Sequence, residues 1–134
     1  MKKKYALISA MILMAIALAA CNNSKAEQND ELVMVDPIIV DLSLNAETVA
    51  VGEKVLIQVK VTQSGEPVED ASDVEFEIVR EGGGMKVKVP IQHVQDGNYE
   101  LEKSFNEPGT YRITSHVTAR GQHSMPLKEL TVTE

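Results

Sequence analysis

Three observations predict an all-β domain, an immunoglobulin-like antiparallel β-sandwich of about seven strands. From Pro37 onward apolar residues alternate with period two, so that Val55, Ile57, Val59 and Val61 share one face and Leu56, Gln58, Lys60 and Thr62 the other. Turn signals recur about every 8 to 12 residues, at Val51-Gly52-Glu53, Ser64-Gly65-Glu66-Pro67, Glu81-Gly82-Gly83-Gly84, Asp96-Gly97-Asn98, Glu107-Pro108-Gly109 and Arg120-Gly121-Gln122. Beyond residue 20 no window places apolar residues at helical spacing.

The turns divide the chain into predicted strands at residues 38–44, 54–63, 73–80, 85–94, 98–105, 110–119 and 123–133. The first follows Pro37 and the second carries the Val55–Val61 alternation. In the third, Val74, Phe76 and Ile78 alternate with acidic residues, as in a strand with one wet face. The fourth and fifth flank Asp96-Gly97-Asn98. The sixth has its apolar residues at odd positions from Tyr111, and the seventh closes the chain beyond Gly121. Tyr99 and Tyr111 each follow a Gly-containing turn by two residues, and either fits a corner tyrosine with a buried ring and a hydroxyl bonded to nearby backbone.

Ahead of this domain, Lys2-Lys3-Lys4 precede an apolar run from Tyr5 to Ala17 and then Leu18-Ala19-Ala20-Cys21. That order is a secretory signal ending in a lipobox. The apolar run is too short for a permanent membrane span. Residues 1–20 are therefore expected to be cleaved. Cys21 then starts the mature chain and carries a thioether-linked diacylglycerol, an anchor made stable by two or more acyl chains. Residues 21–36 form a polar tether whose composition cannot offset the entropy cost of ordering, and residues 37–134 form the sandwich. The expected location is the extracytoplasmic face of the cell membrane. Subtracting Lys2, Lys3 and Lys4 from the formal charge of -7 leaves -10 for the mature chain. Such a surface excludes nucleic acid as a partner and leaves membrane contact to the lipid. With its one Cys lipidated, the domain has no disulfide and is held by packing alone.

Catalytic templates are absent: there is no G-x-S-x-G, no H-E-x-x-H and no free thiol. Gly82-Gly83-Gly84 joins two strands, so it reads as a hairpin loop and not as a phosphate cradle. The acidic residues alternate with apolar ones and read as solvated faces.

The last hairpin differs. His116 falls opposite in phase to the apolar residues of its strand, and His123 and Met125 follow beyond the turn. If Arg120-Gly121 is a two-residue turn, Ala119 pairs with Gln122, Thr118 with His123 and His116 with Met125, and two imidazoles and a thioether share one exposed patch. If Gly121 forms a bulge instead, the pairing slips by one and His123 and Met125 turn to the core. Arg is a poor residue for the positive φ of a primed turn, so the sequence leaves both registers open. Imidazole with thioether and no thiolate suits copper better than magnesium or calcium. His93 and Met85 are further donors within the same domain.

Several segments together resemble the YtkA-like domain, a family of small extracytoplasmic proteins akin to the FixH-like group. They are Gly65-Glu66-Pro67-Val68, Val74-Glu75-Phe76-Glu77-Ile78, Asp96-Gly97-Asn98-Tyr99, Phe105, Pro108-Gly109-Thr110-Tyr111 and the run from His116-Val117-Thr118-Ala119 to His123-Ser124-Met125-Pro126. Val79 and Tyr111 stand where relatives often carry Trp. The resemblance covers most of residues 38–133 and implies an immunoglobulin-like sandwich without catalytic activity. It also implies an association with copper handling and respiratory oxidase assembly, with His93, His116, His123 and Met125 as the nominated ligands. The expected function is a membrane-tethered accessory protein that stores copper or delivers it to an envelope partner. The competing expectation is a metal-free interaction module in which sheet edges and loops bind another envelope protein.

Overall fold

The computed structural model describes residues 34–134, so the expected signal, Cys21 and the tether as far as residue 33 lie outside the described residues. Among the described residues eleven strands form two sheets: β1 (Ile38–Leu44), β2 (Thr48–Ala50), β3 (Lys54–Gln63), β4 (Glu66–Pro67), β5 (Asp73–Arg80), β6 (Lys86–Pro90), β7 (His93–Gln95), β8 (Asn98–Ser104), β9 (Gly109–Ala119), β10 (Gln122–Ser124) and β11 (Leu127–Thr133). The first sheet runs β1-β3-β8-β7 with β4 against β3, and the second runs β2-β11-β9-β5-β6 with β10 against β9. This is the expected immunoglobulin-like sandwich. Its one core combines Val55, Ile57, Val59 and Val61 of β3 and Tyr99 of β8 with Phe76 and Ile78 of β5, Tyr111, Ile113 and Val117 of β9 and Leu130 of β11. Each such side chain, fully withdrawn from water, contributes about 1.5–3 kcal/mol, which is how a domain without disulfides holds together.

Period two accounts for the long strands, and the departures from prediction have local causes. The predicted strand at 85–94 is divided: β6 pairs with β5 in the second sheet, whereas β7 pairs with β8 in the first. Pro90, opposite Glu75 at the end of β6, has no N–H for the ladder, and the chain leaves the sheet there. The Ile91 N–H then donates to the Val74 carbonyl at 2.8 Å as the chain crosses. The predicted strand at 123–133 is likewise interrupted at Met125-Pro126, where a second proline removes a donor. Two short strands are additional: β4 folds back on the end of β3, with Glu66 opposite Gln63, and β2 joins the other sheet. After β1 the chain crosses to the second sheet and β2 lies parallel to β11, Thr48 opposite Thr131, an exception to the otherwise antiparallel pairing.

Both tyrosines are buried and bonded to backbone. The Tyr111 hydroxyl donates to the Glu107 carbonyl at 2.8 Å, four residues upstream, which is the corner arrangement. The Tyr99 hydroxyl donates to the Val68 carbonyl at 3.2 Å and accepts from the Ala71 N–H at 3.4 Å, pinning the loop after β4 to β8.

Candidate metal centre

The strand that carries His116 has a strict inward phase. Tyr111, Ile113, Ser115, Val117 and Ala119 are buried, so Thr114, His116 and Thr118 face outward from the second sheet. The question left open by the sequence is the turn that follows. Arg120 and Gly121 both have positive φ, 51° and 75°, and Ala119 pairs directly with Gln122. This is the two-residue primed turn, and the first of the two registers. Tertiary contacts hold Arg120 there: its guanidinium donates to Gln63 Oε1 at 2.8 Å and to Asp70 Oδ1 at 3.2 Å and 3.3 Å.

Thr118 therefore pairs with His123. The same count resumes past Pro126, with Leu127 opposite Thr114, which sets Met125 across from His116 between the two paired segments. The Ser115 N–H donates to the Pro126 carbonyl at 2.9 Å and keeps the strands together through that gap. His116 and His123 become diagonal neighbours on one face, their ring centroids 6.1 Å apart and their planes inclined by 39°. His123 Nδ1 shares a hydrogen bond of 2.8 Å with Thr118 Oγ1. When Nδ1 carries the proton and donates to Thr118, the Nε2 lone pair of the neutral ring is left to accept or ligate. His116 Nε2 is buried and has no hydrogen-bond partner among the described residues, an arrangement that costs about 1–3 kcal/mol unless something completes it. The Met125 side chain is exposed.

His93 is not brought to this patch. It lies on β7 in the other sheet, its ring edge-on to Tyr99 at 5.2 Å, and its Nε2 accepts the Gly97 N–H at 3.2 Å. Met85 lines a cleft of about 210 Å³ with Lys103, Phe105, Asn106 and Tyr111, near the start of β9, whereas the His pair adjoins its end. Among the described residues no three His, Cys, Asp or Glu side chains converge tightly enough to hold a metal. The last hairpin thus offers an open edge of two imidazoles with a thioether beside them, and no closed cage.

One neighbour escaped the sequence reading. Glu75 of β5 pairs with His116 on the side away from Met125. Its Oε1 accepts from Lys88 Nζ at 2.6 Å. That hydrogen bond holds the carboxyl below its ordinary range, against a smaller opposing effect of burial, and the charges of Lys88 and His116 act in the same direction as the bond. In the sequence Glu75 is one of several alternating acids, and only the β5–β9 register distinguishes it.

A family model described as YtkA-like matches residues 34–116. The match ends at His116, so His123 and Met125 lie beyond it. No curated protein matches the chain in sequence. Many solved structures are similar in fold, among them the following three. An engineered protein superposes with a TM-score of 0.54 at 19% identity, over 73% of this chain and 20% of its own. The alkylpurine DNA glycosylase AlkC of Pseudomonas fluorescens, bound to DNA containing an abasic site analog, gives 0.54 at 12% identity, over 72% of this chain and 30% of its own. The soluble domain of PmoD from a Methylocystis species gives 0.50 at 14% identity, over 73% of this chain and 92% of its own. This chain thus matches less than a third of the length of the first two and nearly all of the third. At these identities the likeness is one of fold.

Proposed function

The chain belongs to the YtkA-like family, and from that premise we propose that it is a lipid-anchored, extracytoplasmic accessory protein whose last hairpin holds copper as cargo through His116, His123 and Met125. The observation that carries the reading is the approach of the two imidazoles across the Arg120-Gly121 turn. With a metal–nitrogen bond of about 2 Å, a ring centroid stands roughly 3 Å from the ion, so two rings on opposite sides of one ion have centroids about 6 Å apart. The separation of 6.1 Å matches that span. The unpartnered Nε2 of His116 is the donor such an ion would satisfy, and the Thr118 contact is the kind of outer partner that fixes a ligating imidazole.

Two imidazoles and a thioether are a soft-to-borderline set that favours copper over hard cations. A three-donor edge with no closed cage suits transfer, because a receiving protein can add a donor before the first protein lets go. Lipidation at Cys21 would hold the domain at the extracytoplasmic face of the cell membrane, where a copper-receiving partner, for example one in respiratory oxidase assembly, would meet it. His93 takes no part in this reading. No catalytic role is included, since no nucleophile and base are paired by sequence motif.

Copper titration of a His116→Ala variant tests the assignment. Affinity should fall at least about tenfold while the far-ultraviolet spectrum and unfolding midpoint stay near those of the parent. Unchanged affinity would remove the hairpin site and leave the metal-free interaction module as the better account.

A further inference from the structure

Met125 falls in the break between β10, which ends at Ser124, and β11, which begins at Leu127. It stands across from His116 on the outer face of the second sheet, and its residue is 56% exposed. A thioether so placed is open to oxidants as well as to metal. Resting on the copper reading above, we propose that Met125 is a modification site: oxidation by a peroxide to the sulfoxide releases Cu(I) from the hairpin, and a bound ion in turn shields the sulfur.

The step needs no group from the protein beyond the sulfur itself. A sulfur lone pair attacks one oxygen of hydrogen peroxide, the O–O bond breaks, an S–O bond forms and water leaves. The sulfur gives up two electrons and the peroxide gains them. What remains is a polar sulfoxide that presents a hard oxygen where a soft sulfur stood. Cu(I) is selected by thioether sulfur, so it loses its third donor and keeps only the two imidazoles. In the loaded hairpin the lone pair that would attack the peroxide is engaged by the ion, which makes binding and oxidation mutually exclusive. Methionine sulfoxide is reducible by dedicated reductases, so the release is reversible.

Two other methionines among the described residues serve as comparisons. Met34 is 91% exposed and precedes β1, so it meets oxidant freely and lies outside the nominated ligand set. Met85 is partly buried, packs against the core and lines the cleft with Phe105 and Tyr111, where an added oxygen would set a polar atom against apolar groups. Met125 belongs neither to the core nor to the residues packed against it. Its oxidation should therefore change binding and leave the fold standing.

The test uses the full chain and hydrogen peroxide, with Ag(I) as a soft, singly charged ion that does not cycle with peroxide. Sulfoxide at each methionine is read by mass spectrometry of its peptides. In the free protein Met125 should oxidise within about threefold of the rate of Met34, and one equivalent of Ag(I) should slow Met125 about tenfold or more while Met34 changes less than about twofold. Competition against chromogenic chelators follows, on a Met34→Leu chain before and after oxidation. Cu(I) affinity should fall about tenfold or more, Cu(II) affinity should stay within about twofold, and sulfoxide reductase should restore the first. Unchanged Cu(I) affinity with Met125 oxidised, or no protection by Ag(I), would overturn the proposal. In a Met125→Leu chain peroxide should cause no further loss of Cu(I), and a loss as large as in the parent would place the damage elsewhere and overturn it as well. A His116→Ala variant separates the two levels. Loss of Cu(I) there keeps the copper site while the oxidation switch stands or falls on Met125, and retention removes the site itself.

Discussion

Gly97 sits at a point where no other residue type fits. Its φ is +73°, and a Cβ there would lie 2.6 Å from the Val61 carbonyl oxygen and 3.1 Å from the Val68 nitrogen. The close approach is functional for the fold. The Val61 N–H donates to the Gly97 carbonyl at 2.9 Å, and the Val68 N–H donates to the Val61 carbonyl at 2.9 Å, so the Asp96-Gly97 turn is stitched to the end of β3. His93 Nε2 accepts the Gly97 N–H in the same place, on the sheet that does not carry the other two imidazoles. We predict that Gly97→Ala lowers stability by about 2–4 kcal/mol, read as a reduced urea midpoint at unchanged slope, since strain and backbone clash act together. An effect below about 0.5 kcal/mol would show that the turn relaxes without the β3 contacts.

At the scale of elements, the decisive one is the β9–β10 hairpin. Asn and Gly are the usual residues of a primed turn, and Arg120 in the left-handed region carries a cost of about 1–2 kcal/mol by itself. Gln63 and Asp70, distant in sequence, hold it in place. Arg120→Ala should therefore destabilise by about 1–3 kcal/mol, losing the anchors while keeping the strain. Arg120→Gly should cost less, because strain is relieved as the anchors are lost. Thermal unfolding of the two variants checks the order, and the reverse order would mean that the positive φ of Arg120 carries no strain.

The same hairpin explains how far the sequence could be read. Strands whose phase is written in their own residues, such as Val55 to Val61 and Tyr111 to Ala119, were legible, and so was the outward face of His116. The register beyond Arg120 was not, because it depends on a buried glutamine at the end of β3 and an aspartate in the loop after β4. The division of residues 85–94 between two sheets turns on Pro90, whose missing donor is visible in sequence while the direction of the crossing is not. Glu75 became a neighbour of His116 only once β5 was aligned with β9. The parallel strand β2 is three residues long and has no periodicity to detect.

Over the whole molecule, the sandwich separates what holds the fold from what is offered outside it. Phe76, Ile78, Tyr111 and Ile113 are withdrawn into the core, and the outward residues of the same strands include Glu75 and His116. Removing the His116 side chain should therefore change copper binding and leave the core intact. The strongly acidic formal charge supports accumulation of cations near the surface, an effect that weakens with added salt. The central claim is that one copper ion binds at the last hairpin. It is tested most directly by titrating copper, as Cu(I) and as Cu(II), into the domain while following the three imidazole ring resonances and the Met125 methyl by NMR. The account predicts saturation at one ion per chain, with the His116 and His123 rings responding to both ions, Met125 to Cu(I), and His93 unmoved. A non-saturating response, or His93 changing in step with the other two, would contradict it.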